Sequence, residues 1–263
     1  MKPYDHLTRK GLVLLFVMLA FAISSTVSAR GYYQIKVYNL KDKNQESQVE
    51  NYLKNAYLPA MHRAGIKEVG VFKPIESEPD AGTLIYVFVP LKNLNQIEKI
   101  EADLAKDEQY QKKGADYINA SWENPPYVRM ESILLKPFKE MPEFAVPSHS
   151  TPPSDRIYEL RSYEGPTEKY YHKKVEMFNA GGEVTIFKSI GAQPVFFAEV
   201  LSGSTMPNLM YLTTYSDMKS HDEHWDAFRN HPDWKKLSGM EEYKHTVSKA
   251  VKHLLHPTDY SDI

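Results

Sequence analysis

Residues 156–163 read RIYELRSY, and residues 32–38 read YYQIKVY, an earlier copy of the same pattern. Tyr33 falls on Tyr158, Gln34 on Glu159, Ile35 on Leu160, Lys36 on Arg161 and Tyr38 on Tyr163. Alternate residues of an extended chain face opposite ways. Tyr33, Ile35 and Val37, with Tyr158, Leu160 and Ser162, therefore share one face. Gln34, Lys36 and Tyr38, with Glu159, Arg161 and Tyr163, share the other. In both copies one face is mostly apolar and the other carries charges and phenols.

The match extends outward in chain order. Residues 45–64 predict a helix closed by Gly65, and 167–190 predict its counterpart closed by Gly191, glycine being suited to the left-handed turn that ends a helix. Apolar runs at 69–75 and 195–201 each lead into a turn-forming stretch, SEPDAG at 77–82 and SGSTMPN at 202–208, as between antiparallel strands. LIYVF at 84–88 is set against LMYLT at 209–213. A second helix follows in each copy, near 94–105 and 219–230, then an aromatic-lysine segment, DEQYQKK at 107–113 and HPDWKK at 231–236. Last come 130–138 and 249–257, which share a Leu-Leu-basic-Pro ending, Leu134-Leu135-Lys136-Pro137 and Leu254-Leu255-His256-Pro257.

The unit is β-α-β-β-α-β, the ferredoxin-like order of an α+β protein. The first repeat takes 30–138 and the second 156–263. Between them, 139–155 carries Pro142, Pro147, Pro152 and Pro153. Proline fits poorly inside a helix or a central strand, so this is an extended linker. A four-stranded sheet with helices on one face leaves the other bare, and an equivalent sheet from the same chain can cover it. Tyr86 and Phe88, like Tyr211, Thr213 and Tyr215, are expected on that inner surface. Exposed, these aromatics would form a sizeable apolar patch. Two sheets closing on each other as one barrel is the architecture expected.

The chain opens as an export signal. Lys2, Arg9 and Lys10 precede an apolar run at 11–23, and Val27-Ser28-Ala29 is a small-x-small cleavage site. The run is short of the roughly 20 residues that span a bilayer. Residues 1–29 are thus expected to be removed, leaving a periplasmic or secreted protein without a membrane span. Without Lys2, Arg9, Lys10 and Asp5 the rest carries 29 basic and 33 acidic residues, a formal charge of −4. Nucleic acid is not an expected partner, since it wants a basic stripe. There are no cysteines, which excludes disulfides and thiolate-held metals. The 18 tyrosines suit the wall of a half-polar cavity, because each offers apolar area and a hydroxyl that needs a partner when buried.

These residues resemble the NIPSNAP proteins of the dimeric α/β-barrel superfamily. The resemblance rests on YELRSY at 158–163, Gly191 with PVFF at 194–197, PNLMYLTTYSD at 207–217 and HWDAFRNHPDWKKL at 224–237. It is strong over 156–255 and weaker over 32–138, where DEQYQKK lacks the proline and tryptophan. It implies tandem ferredoxin-like repeats forming a dimeric α/β barrel within one chain. It implies no particular reaction, because the family has no agreed activity. Relatives elsewhere in the superfamily include cofactor-free monooxygenases and haem-binding enzymes, and their chemistry extends here by fold analogy alone.

The charged strand face is the first candidate site. Were it to line the barrel interior, its charges would be desolvated and would have to pair or bind something. One reading is a pocket for a small anionic or polar ligand lined by Gln34, Lys36, Tyr38, Tyr86, Glu159, Arg161, Tyr163, Tyr211 and Tyr215. The other is that Glu159, Arg161 and their first-half partners hold the two sheets together. His221-Asp222-Glu223-His224 lacks the zinc-protease spacing and reads as a solvated helix start capped by Asp217 or Ser220. Trp225, Phe228 and Trp234 read as packing residues. Neither a phosphate-binding glycine loop nor a serine nucleophile elbow is present.

The leading expectation is an exported barrel protein that binds a small molecule between its sheets. A monooxygenase-like enzyme, cofactor-free or haem-dependent, would use the same cavity, with tyrosines and Arg161 orienting an aromatic substrate. A protein-interaction module with a filled barrel is the third reading. No cofactor is predicted, haem being the alternative that leaves no local signature. A tandem barrel satisfies itself, so a homodimer is compatible with the sequence without being required.

Overall fold

The strands fall where the two copied patterns place them. A computed structural model describes residues 31–263; the expected signal at 1–29 lies outside the described residues. The strands are β1 Tyr32–Asn39, β2 Gly70–Pro74, β3 Leu84–Leu91, β4 Arg129–Pro137, β5 Ile157–Glu164, β6 Gln193–Ser202, β7 Asn208–Tyr215 and β8 Lys249–Pro257. They close as one antiparallel barrel in the order β1-β3-β2-β8-β5-β7-β6-β4. Each half supplies one four-stranded sheet, and closure removes the open edges that separate sheets would carry. The two Leu-Leu-basic-Pro endings lie at the seams. Phe72, Lys73 and Pro74 pair with Pro257, His256 and Leu255, while Leu135, Lys136 and Pro137 pair with Val200, Glu199 and Ala198. Pro137 and Pro257 sit at strand ends, where a missing amide donor costs least.

An eight-stranded barrel is just wide enough for side chains to fill it. Tyr33, Ile35, Phe72, Phe88, Leu135, Tyr158, Leu160, Phe196, Leu212 and Leu255 fill this one, from both halves. Phe88 stacks on Phe196 with ring centroids 5.3 Å apart, and Tyr33 leans on both. Phe144 of the linker closes that end edge-on to Tyr33 and Phe88. The outward sheet faces are buried too, each under its own helices.

The expected match of LIYVF to LMYLT is corrected by one position. Lys36 lies opposite Val87 and its counterpart Arg161 opposite Tyr211; Val37 lies opposite Tyr86 and its counterpart Ser162 opposite Met210. Tyr86 is therefore equivalent to Met210, not Tyr211. A one-residue slip moves a side chain to the other face of a strand. Tyr86 and Phe88 face the barrel interior as expected, whereas Tyr211 and Tyr215 face the second-half helices.

The first helix begins at Asp42, whose carboxylate accepts from the amides of Asn44 and Gln45. It runs as α1 Lys43–Tyr52, a π-helical turn Leu53–Tyr57 and α2 Leu58–Arg63, closing before Gly65 at φ 86°. Then come α3 Asn95–Lys106, α4 Glu108–Lys113 and α5 Ala115–Ile118. The single second-half helix expected over 167–190 is two, α6 Glu168–Phe178 and α7 Glu183–Ser189. Gly182 takes φ 91°, and a Cβ on Gly181 would stand 2.6 Å from the Met177 carbonyl oxygen, so the pair breaks the helix and packs against its end. The chain continues through α8 Met218–Asn230 and α9 Pro232–Ser238 into β8.

Candidate functional site: the open end of the barrel

Inward-facing positions change character along the strands. At the Phe144 end they are large and aromatic. At the other end the interior opens into a cavity of about 250 Å³. Its first-half wall carries Val37, Leu84, Tyr86 and Ile133 beside Asn39; the second half adds Ser162, Glu164, Asn208, Lys249 and His253 among Leu160, Met210 and Val251. Glu131 joins from β4, and Ser204 and Thr205 of the β6–β7 turn close the rim. Lys249 stands 3.5 Å from Glu164, and Ser204 donates to Glu131 at 3.0 Å. Ser162 donates to Asn208 Oδ1 at 3.0 Å. His253 packs against the Tyr86 ring at 5.5 Å, with Nδ1 buried 3.3 Å from Asp80 Oδ2 and outside hydrogen-bond geometry. Burial pushes the Tyr86 hydroxyl well above the usual phenol range, the carboxylates of Asp80, Glu131 and Glu78 adding to it, so it serves as a neutral donor.

Of the nine residues expected around one interior site, Tyr86 alone lines this cavity. The expectation that the charged strand face lines the barrel interior is corrected: Gln34, Lys36, Tyr38, Glu159, Arg161, Tyr163, Tyr211 and Tyr215 lie on the opposite side of the sheet, toward the helices. They form two separate groups. In the second half, Glu159 is fully buried and accepts from Trp225 Nε1 at 2.6 Å and from Arg161 at 2.8 and 3.0 Å. His221 Nε2 stands 3.4 Å from the same carboxylate, within ion-pair range. The Arg161 guanidinium lies 3.9 Å from the Trp225 ring centroid and donates to Tyr163, whose hydroxyl meets that of Tyr211 at 2.8 Å. Tyr215 donates to Thr213 and packs edge-on to His221.

Burial alone would raise the Glu159 carboxyl, but His221 and Arg161 outweigh it and hold it below the ordinary carboxylate value. Close by, Lys174 and Glu183 pair at 2.8 Å while almost wholly buried. Here burial outweighs the lysine and raises the Glu183 carboxyl. Apart from His221 Nε2, which lies outside hydrogen-bond geometry, the network satisfies itself, which fits the structural reading of Glu159 and Arg161, except that they bind helix to sheet rather than sheet to sheet. His221 is likewise buried rather than at a solvated helix start, while Asp217 caps that helix as expected.

In the first half, Gln34 donates to Ser132 Oγ at 2.8 Å, Lys36 lies 4.9 Å from the centre of the Tyr57 ring, and Tyr38 packs with Tyr117 and Tyr127. Sequence reasoning missed Ser162, Glu164, Asn208, Lys249 and His253 at the open end. Continuing the alternation from Tyr158 through Leu160 would have reached Ser162 and Glu164; nothing local marks the others.

Four larger hollows lie elsewhere among the described residues, those of about 430 and 300 Å³ between first-half helices. A crease of about 630 Å³ lies at the β2–β8 seam, where Lys73 is already held by Glu46 and Glu50 at 2.6 and 3.2 Å. One of about 400 Å³ lies outside the Phe144 plug. Among the described residues no group of three histidine or acidic side chains could hold a metal. Haem does not fit the open end, whose cavity is smaller than the roughly 300–1,000 Å³ of ordinary ligand sites. The second-half space between sheet and helices is filled by Phe178, Phe187, Phe197, Tyr211, Trp225 and Phe228.

Fold and register together define a dimeric α/β barrel built from tandem ferredoxin-like repeats of one chain. Residues 158–262 match the family model NIPSNAP, so the second half carries a NIPSNAP domain. No curated protein matches the chain. Among solved structures it resembles a provisionally assigned monooxygenase from Fusobacterium nucleatum (TM-score 0.54, 13% identity, covering 87% of this chain and 93% of that one). A provisionally assigned monooxygenase from Lactobacillus acidophilus is similar (0.54, 12%, 87% and 94%), as is an anthrone oxidase-like protein (0.51, 10%, 88% and 94%). At such identities the likeness shows the fold alone.

Proposed function

We propose that this protein is an exported barrel that binds one small amphipathic molecule at the open end, between its two halves. The observation that carries the reading is the cavity there, with an apolar wall from Val37, Leu84, Tyr86 and Ile133 facing polar groups at Ser162, Asn208 and His253. Apolar burial supplies affinity in such a site, and a few placed polar groups set orientation. Export rests on the pattern of residues 1–29. Among the described residues no helix is long and apolar enough to cross a membrane. Closure uses both edges of each sheet, so any homodimer would pair through outer helices.

The test is mass spectrometry of small molecules that co-purify with the full chain, compared between the wild type and a cavity-filling Met210→Trp variant. A compound retained by the wild type and lost from a folded variant supports the reading. Equal retention, or no bound compound and no saturable binding from a metabolite extract, overturns it.

An oxygenase-type enzyme in the same cavity is favoured by one observation, the placement of His253 between Asp80 and Tyr86, which gives the site a proton acceptor. The orienting role expected of Arg161 does not carry over, because Arg161 lies across the sheet. Turnover abolished in His253→Gln with ligand binding retained would favour the enzyme over the binder.

A further inference from the structure

The linker crosses the barrel end opposite the open mouth, and it treats the two halves differently there. Tyr33 and Tyr158 hold equivalent positions at that end, opposite Pro90 and Thr214. In the second half, linker residues take the space beside the tyrosine. His149 Nε2 lies 3.1 Å from Thr214 Oγ1, and the Thr151 hydroxyl donates to the Ser216 carbonyl oxygen at 2.9 Å. Arg156 holds this stretch by donating to the carbonyl oxygens of Thr151 and His149 at 3.0 and 3.2 Å.

In the first half the groups that hold the linker are gone. Gly31 stands where the second half has Arg156, and Pro90 where it has Thr214. What remains is the hollow of about 400 Å³, walled by Ile66, Pro90, Leu91, Pro142 and Phe144 with Tyr33 at its floor. Gly31, Gln96 and the charged Glu68, Lys92 and Glu143 complete the lining. The volume lies within the roughly 300–1,000 Å³ of ordinary ligand sites. Tyr33 is 2% exposed, and among the described residues its hydroxyl has no hydrogen-bond partner. A buried donor left unmade is unfavourable, so the site gains from any molecule that brings an acceptor. Burial holds this hydroxyl well above the ordinary phenol range, and the Glu143 carboxylate on the wall of the hollow adds to it, so Tyr33 is a neutral donor.

We propose that this hollow is a second binding site, for a small uncharged aromatic ketone whose oxygen accepts from the Tyr33 hydroxyl and whose ring lies against Pro90, Leu91 and Phe144. A flat ring suits a space whose second-half counterpart takes the His149 imidazole, and glycine and proline in place of Arg156 and Thr214 make its walls more apolar. An anionic ligand is disfavoured, because Glu68 and Glu143 outnumber Lys92 among the lining charges. The site lies at the opposite end of the barrel from the open-end cavity and does not depend on it.

The probe is acetophenone, titrated into the full chain and followed by saturation-transfer NMR, with α-methylstyrene as the isosteric hydrocarbon. Acetophenone should bind saturably and about fivefold or more tightly than α-methylstyrene, the worth of a hydrogen bond to a donor otherwise left unpaired. Tyr33→Phe keeps the ring and removes the hydroxyl. It should bring acetophenone down to the affinity of the hydrocarbon and leave the hydrocarbon unchanged. The melting temperature of unliganded Tyr33→Phe should not fall, since no bond is lost; a fall would show that the hydroxyl already has a partner and overturn the proposal. Pro142→Trp, which fills the hollow from an exposed linker position, should abolish binding of both compounds in a protein that still melts cooperatively. Met210→Trp should leave both intact. No saturable binding to the wild type, equal affinities for the two compounds, or unchanged acetophenone affinity in folded Tyr33→Phe or Pro142→Trp would overturn the proposal. Loss of acetophenone binding in Met210→Trp would place the ligand at the open end and overturn it as well.

Discussion

Replacing Glu159 with leucine tests whether the second-half network is a closed electrostatic unit. The substitution removes the acceptor for Trp225 Nε1 at 2.6 Å and the partner of Arg161 at 2.8 Å, and it leaves His221 without its buried anion. Breaking a buried pair by deleting one member costs about 3–5 kcal/mol, because the remaining charge is stranded. The Arg161 side chain keeps 21% exposure, so water screens part of the loss and the lower end, about 3 kcal/mol, applies. Arg161→Met should cost at least as much, since the Glu159 side chain left behind is fully buried. The double variant Glu159→Leu/Arg161→Met strands neither Arg161 nor Glu159 but still leaves Trp225 Nε1 and His221 unpaired, so it should cost about 2 kcal/mol rather than the sum of the singles, a coupling of about 4 kcal/mol or more. Urea unfolding followed by tryptophan fluorescence reads this, and 3 kcal/mol corresponds to a midpoint shift of about 1 M for a slope of about 3 kcal/mol/M. A double variant no more stable than the worse single one would refute the pairing. So would a Glu159→Leu loss below about 1 kcal/mol.

The remaining predictions concern pH, packing and backbone. Burial alone would lower the His221 imidazole, but Glu159 and Asp222 outweigh it and raise it above 6.5, so its stabilisation is complete below pH 6.5 and lost as pH rises through the raised value. The Glu159 carboxyl is depressed, so its share is complete above 4.5 and lost as pH falls through the lowered value. Melting temperature should therefore fall on both sides, and His221→Gln should flatten the alkaline limb; an unchanged limb would remove His221 from the network. Phe88→Ala, at a residue 2% exposed and stacked on Phe196, should cost about 3–5 kcal/mol in urea unfolding, and a loss under about 1 kcal/mol would mean the interior is loosely filled. Gly65→Ala meets nothing within 4 Å and should cost only the left-handed backbone penalty, about 1–2 kcal/mol. Gly181→Ala meets the Met177 carbonyl oxygen at 2.6 Å and should cost more; the reverse ranking in the same assay would show that the α6–α7 break is not held by that contact.

The fold was legible because repetition and alternation are both local. YYQIKVY and RIYELRSY announce two equivalent strands, and Gly65 and Gly191 take the positive φ expected of helix-closing glycines. The candidate site was harder for a definite reason. Alternation divides a strand into two faces without saying which is inside, and polarity settles that only when one face meets water. Here both faces are buried, so the charged face, which looked like a cavity lining, instead lies under helices whose Trp225 and His221 satisfy it. The Tyr86–Tyr211 match compounded the error, since aligning two tyrosines across an offset of one residue reverses every assignment on that strand. The π-helical turn at Leu53–Tyr57 carries neither proline nor glycine and left no mark to read.

Duplication about a shared barrel axis makes one mouth from two copies, and this governs what that mouth can recognise. Equivalent positions lie across the opening from each other: Val37 and Ser162, Asn39 and Glu164, Leu84 and Asn208, Tyr86 and Met210, Glu131 and Val251, Ile133 and His253. Were the halves identical, the opening would be two-fold symmetric and would suit a symmetric ligand or none. Three of the six pairs have instead diverged from apolar in the first half to polar in the second, against one, Glu131 and Val251, in the opposite sense. The cavity therefore has a direction across it, and a ligand with one greasy and one polar edge fits in a single orientation. Swapping one pair, Val37→Ser with Ser162→Val, should invert part of that preference without changing cavity volume appreciably. A bound ligand indifferent to the swap would show that the asymmetry of the mouth is not what it reads.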